Sequence, residues 1–136
     1  MGQLGHGKQP TNTSFVNKPT LIEYFKQESV KIAYIAGGGC HSGAICTNGN
    51  LFTFGENRWG QLGTGNTENK TVPTKIHFDV PMSKISCGGT HTIALPLDGT
   101  HGIYWYPIII YTYIFLTSYV AGDVVIMGSS ESDVLG

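Results

Sequence analysis

The stretch Gly55-Glu56-Asn57-Arg58-Trp59-Gly60-Gln61-Leu62-Gly63-Thr64-Gly65 places four glycines in eleven residues. The chain opens on a near copy, Gly2-Gln3-Leu4-Gly5-His6-Gly7, and ends on a worn one, GSSESDVLG, from Gly128 to Gly136. One phrase used three times in 136 residues marks an internal repeat, and the repeat decides the fold.

The similarity extends around the phrase. Residues 37–55, GGGCHSGAICTNGNLFTFG, align with residues 87–99, CGGTHTIALPLDG. His41 falls on His91, Ser42 on Thr92, Ala44 on Ala94 and Gly49 on Gly99, each 50 residues apart. The match then breaks and resumes later, where Gly55 corresponds to Gly128 and Gly63 to Gly136, each 73 residues apart. The difference between 73 and 50 is 23, the length of the block 100–122. A fifty-residue repeat is therefore split by an insertion.

Local signals within one unit point to short antiparallel strands. Val30 to Ala36 and Lys84 to Cys87 are first runs, each closed by glycines, Gly38 and Gly88 among them. Gly43 to Cys46 and Ile93 to Leu95 are second runs, and Leu51 to Phe54 and Val124 to Met127 are third runs. Asn48-Gly49 and Asp98-Gly99 between second and third runs are hairpin turn signals. A sheet of three or four such strands cannot cover both its faces, and repeats of this length stack as propeller blades. The expected fold class is all-β, a partial β-propeller. The glycine phrase forms the blade corner, with Leu4, Leu62 and Leu135 plugging the gap between sheets.

GENRWGQLGTGNTENKTVPTKI followed by ISCGGTHTIALPLDG resembles the repeat of the regulator of chromosome condensation family, over residues 2–99 and 122–136. The resemblance implies a fragment of a seven-bladed ring, divided as about 1–54, 55–99 and 123–136 with the block 100–122 between. Its repeat-structural positions here are Gly2, Leu4, Gly5, Gly38, His41, Gly49, Gly55, Gly60, Leu62, Gly63, Gly88, His91, Gly99, Gly128, Leu135 and Gly136. It further implies protein partners, a Ran-like small GTPase first among them, and at most guanine nucleotide exchange, which needs no covalent catalysis. A nuclear or cytoplasmic location goes with the family, and no signal peptide is read at the start. Two departures stand out: Gly37 occupies the place of Cys87, and Ser132-Asp133-Val134 replaces Trp59-Gly60-Gln61. The link from Gly5 to His41 spans 36 residues against 28 from Gly63 to His91, so an enlarged loop is expected around Lys8 to Lys26, either a contact surface or a merely tolerated insertion.

Composition narrows the function classes. Glycine, 19 of 136, is roughly twice its usual frequency of about 7%, which favours turns and strands over helices. A net charge of −1 without a basic stripe offers nucleic acid or an anionic membrane surface no field. Cys40, Cys46 and Cys87 form no CxxC pair and read as free thiols. His41 and His91 with nearby cysteines suggest a metal only weakly. Equivalent positions in successive blades lie apart, and each His is expected to hydrogen-bond within its own blade. No phosphate loop, serine triad, metal site or cofactor site is read.

The block 100–122, THGIYWYPIIIYTYIFLTSYVAG, holds no Asp, Glu, Lys or Arg and has five tyrosines. Its segment 103–120 is long enough to cross a membrane. Against a span stand Pro107, the abundance of β-branched and aromatic residues, and the lack of any Lys or Arg after Lys84. Three readings are open: an apolar hairpin gripping a partner, a membrane anchor, and a retained in-frame intron in a truncated gene product. An open arc of about three repeats is also expected to leave two sheet faces uncovered.

Overall fold

The computed structural model describes residues 2–7 and 16–97, and the backbone of 125–128. Gly99, Leu135, Gly136 and the block 100–122 lie outside the described residues. The described chain is mostly strand, with one short helix, α1, at Glu23–Gln27. Strands β1 (Ile32–Gly37), β2 (His41–Cys46), β3 (Leu51–Gly55) and β4 (Lys70–Ile76) form a meandering antiparallel sheet in that order. Strands β5 (Met82–Cys87), β6 (His91–Pro96) and β7 (Val125–Gly128) form a second, in order β5-β6-β7. The fold is all-β, two propeller-type sheets stacked face to face.

The two sheets are register copies of each other. In the first, His41 pairs with Gly55, Ser42 with Phe54, Gly43 with Thr53 and Ala44 with Phe52. In the second, His91 pairs with Gly128, Thr92 with Met127, Ile93 with Ile126 and Ala94 with Val125. A one-residue slip would turn every side chain to the opposite face, so identical register means identical faces. His41 and His91 accordingly lie in different sheets, on β2 and β6.

The inner strands of the first sheet read as continuous apolar runs, because both of their faces are covered. Every residue of β3 is buried. Ile45, Leu51 and Ile76 on one face meet Met82, Ile85 and Ala94 of the second sheet. Ala44, Cys46, Phe52 and Phe54 on the other face meet Phe25 of α1. Each large apolar side chain so buried contributes about 1.5–3 kcal/mol. Pro73 is tolerated because β4 is an edge strand, where a missing N–H costs no ladder bond.

The first correction concerns the segment before β1. Residues 23–26, expected within the enlarged loop around Lys8 to Lys26, belong to the helix Glu23–Gln27, which has no side-chain N-cap bond. A helix this short is not stable by itself. It is held by Phe25, whose ring meets Phe52 edge-on at a centroid distance of 5.5 Å. Residues 8–15 of that segment lie outside the described residues. Among the described residues, no helix is long and apolar enough to cross a membrane.

Candidate functional site

Several of the repeat-structural positions, Gly38, His41, Gly49, Gly88 and His91 among them, lie near the seam between the two sheets, whereas Gly2, Leu4 and Gly5 touch the first sheet alone. Gly38 and Gly88 begin the tight turns that lead into β2 and β6, with Gly38 N–H donating to His41 O at 2.8 Å and Gly88 N–H to His91 O at 2.9 Å. In both, a Cβ would run into the imidazole of the following histidine, so only glycine fits. Gly49, at φ +77°, abuts Pro81 where the chain enters the second sheet, and Met82 N–H donates to Gly49 O at 2.8 Å. Gly55 lies against Cys40, Gly2 against β4 and Gly5 against the Phe54 ring, while Gly60 and Gly63 turn the phrase itself. Gly128 ends β7 opposite His91.

The phrase 57–66 is tied up by Asn57, a buried residue with no repeat-level signal in the sequence. Its Oδ1 accepts from Leu62 N–H at 2.9 Å, and its Nδ2 donates to Thr64 Oγ1 at 2.9 Å and to Asn66 O at 2.8 Å. So braced, the phrase bridges both sheets. Thr53 of the first donates its hydroxyl to Leu62 O at 2.7 Å, and Thr92 of the second donates to Gln61 O at 2.7 Å. The equivalent hydroxyl on the first sheet, Ser42, donates to Gln3 O of the opening phrase at 2.8 Å. Thus one bond, from the hydroxyl after the histidine to the glutamine of the preceding phrase, occurs twice. The recurrence of Ser42 and Thr92 at 50 residues was visible in the sequence, but nothing there showed what the hydroxyl meets.

His41 is a second correction. It was expected to bond within its own sheet, yet its Nε2 lies 2.8 Å from Thr92 Oγ1 on the next one. Since the single Thr92 proton goes to Gln61 O, the hydroxyl must accept from His41, which fixes the Nε2–H tautomer. The two histidines are therefore not electrically remote. Burial pulls the His41 imidazole below its ordinary value of 6.5, a hydrogen bond to the His91 backbone opposes this, and the nearby His91 adds to the lowering. Nδ1 of His41 has no partner among the described residues, so a proton placed there finds no acceptor. His91 is lowered as well, by burial. Burial raises the Cys87 thiol, partly offset by a hydrogen bond with Thr92, which keeps it an unreactive thiol. All three cysteines are free.

These shifts carry a sign. A histidine whose folded value lies below the unfolded 6.5 binds fewer protons folded than unfolded, so its stabilising effect is complete above 6.5. It is lost as pH falls through the window between 6.5 and the lowered value. The urea midpoint of the chain is thus expected to drop between about pH 8 and about pH 5, and to drop less in His41→Gln. Identical pH profiles for the two chains would remove His41 from this role.

Leu62 is fully buried between the sheets, as expected of a plug, whereas Leu4 is exposed. Leu4 fails as a plug because its phrase touches only one sheet, at Ser42, Phe54 and β4.

The family model for the regulator of chromosome condensation (RCC1) repeat matches residues 1–45 and 48–95. The chain belongs to this family. Among RCC1-repeat proteins, mouse protein RCC2 is 38% identical over 100 residues, covering 72% of this chain and 18% of RCC2. The X-linked retinitis pigmentosa GTPase regulator homolog of Caenorhabditis elegans is 45% identical over 71 residues, covering 50% of this chain and 5% of that protein. The chain therefore spans less than a fifth of the length of these relatives. Yeast RCC1 (Prp20), in its crystal structure bound to Kap60, superimposes with a TM-score of 0.59 at 23% identity, over 72% of this chain and 24% of that one, and shares the fold.

Proposed function

We propose that the chain is part of a protein-docking propeller, and that its finer role is guanine nucleotide exchange on a Ran-like small GTPase. The observation that carries the docking reading is the rigid stacking of two equivalent sheets. It holds the turn 47–50 and the links 56–69 and 77–81 at fixed positions around the stack. Loops on a rigid scaffold suit recognition of a macromolecular surface. The exchange reading is supported by family membership and by a relative whose name is a GTPase regulator.

Exchange is differential binding: a surface that holds the nucleotide-free GTPase more tightly than the loaded one speeds release of GDP. The same surface, presented without that preference, is a dock only. Release of a fluorescent GDP analogue from a Ran-class GTPase separates the two. The expected result is acceleration that saturates with chain concentration. An unchanged release rate, with no retention of the nucleotide-free GTPase, removes the exchange reading and leaves the dock.

A further inference from the structure

Asn48 is the one asparagine in the chain that a glycine follows. Such a pair carries its own chemistry. The backbone nitrogen of the glycine, with no Cβ beside it, attacks Cγ of the asparagine, closes a cyclic imide and expels ammonia. Water then opens the ring at either carbonyl. One opening gives aspartate. The other gives isoaspartate, whose main chain runs on through Cβ and Cγ and is one carbon longer.

The fold puts this pair at the joint between the two sheets. Asn48 is exposed, in the turn that Gly49 N–H closes by donating to Cys46 O at 2.9 Å. Thr47 N–H donates to Lys31 O at 2.9 Å, and Cys46 N–H to Asn50 O at 3.0 Å, so the turn is held from both strands. Gly49 O accepts from Met82 N–H at 2.8 Å, and Gly49 has no room for a Cβ against Pro81. Met82 opens β5 and is buried in the core that the two sheets share. One glycine therefore ties the β2–β3 turn to the second sheet. While its proton is held by Cys46 and its carbonyl by Met82, its nitrogen is not free to turn onto Asn48 Cγ. An extra main-chain carbon beside it displaces both bonds, because the sheets fix Cys46 and Met82. Aspartate keeps the main-chain length, and the second unit writes its own turn signal as Asp98-Gly99.

We propose that Asn48 is a self-modification site gated by the fold. It converts when the β2–β3 turn opens, and its isoaspartate product unfastens this end of the seam, whereas its aspartate product leaves the seam closed. The reactants are the side-chain amide and water, and the products are the acid and ammonia.

The test ages the full chain at mildly alkaline pH, in native buffer and in urea beyond the unfolding midpoint, and follows residue 48 by peptide mapping that separates the isomers. Conversion is expected to be at least about tenfold faster in urea, where the turn is open throughout. Refolding the aged chain gives both isomers in one tube, equal in mass, so each is a control for the other. On graded heating the isoaspartate form is expected to leave the soluble fraction at least about 4 °C before the aspartate form, and Asn48→Asp to melt with the parent chain. An isoaspartate form that fails to refold beside an aspartate form that succeeds gives the same answer. Equal rates in buffer and urea overturn the gating, and isomers that melt together overturn the effect on the seam. Faster conversion in urea at Asn66 or Asn69 than at Asn48 removes the site.

Discussion

Asn57→Ala is expected to lower the stability of the chain by about 3–5 kcal/mol, a large fraction of the roughly 5–15 kcal/mol that holds a small domain. The amide leaves three partners behind: the buried N–H of Leu62, the carbonyl of Asn66 and the hydroxyl of Thr64. Each buried group stripped of its partner costs about 1–3 kcal/mol, and alanine also leaves a void where Asn57 was fully enclosed. The damage does not stay local. Leu62 and Gln61 carry the carbonyls that receive Thr53 from one sheet and Thr92 from the other, so a slack phrase loosens the seam. His41 then loses a fixed acceptor, because Thr92 no longer has a set direction for its proton. Arg58→Ala next door is the control. Its guanidinium is exposed and lies 3.7 Å from Glu56, a pair worth under about 1 kcal/mol. A thermal melt in which both variants fall by the same few degrees would show that Asn57 is not the brace of the phrase.

The repeat could be read because it is written in residue types that few conformations require. The Gly-Gly turn before each histidine, the Asn48-Gly49 hairpin and the glycine spacing of the phrase all constrain the backbone, and backbone constraint survives in a single sequence. The correspondence between the two sheets followed from the same spacings. What was not legible depends on groups distant in sequence. The turn of the short helix at Glu23–Gln27 has no cap and no long apolar period, and exists because Phe25 finds the Phe52 and Phe54 rings. The reach of His41 to Thr92 is set by how one sheet lies on the next, which no local pattern encodes. Leu4 was misread for a related reason. Its sequence context matches that of Leu62, but burial is a property of what stands on both sides, and only one side of Leu4 is occupied.

Deleting residues 100–122 is expected to leave both sheets intact and to raise Tm by about 5–15 °C. The register carries this expectation. Val125–Gly128 pairs with β6 as Phe52–Gly55 pairs with β2, although residues 97–124 separate the strands in one case and residues 47–50 in the other. Joining Gly99 to Asp123 restores the short connection: Asp98-Gly99-Asp123 takes the place of Asn48-Gly49-Asn50, and Val124 that of Leu51. The connection shrinks from 28 residues to 5, which lowers the entropy cost of closure by about 1.5 kcal/mol. Removing an uncharged, strand-prone run also removes an aggregation hazard, so the shortened chain is expected in the soluble fraction at several-fold higher yield. Amide exchange measured on both chains gives the decisive comparison. Protection at His91–Pro96 that survives the deletion means that the hairpin is complete without the block, and that the block is an insertion whether it grips a partner, enters a membrane or is spliced from the message. Protection that disappears means that the block supplies contacts the second sheet needs, and the fifty-residue unit would then have to be redrawn to include it.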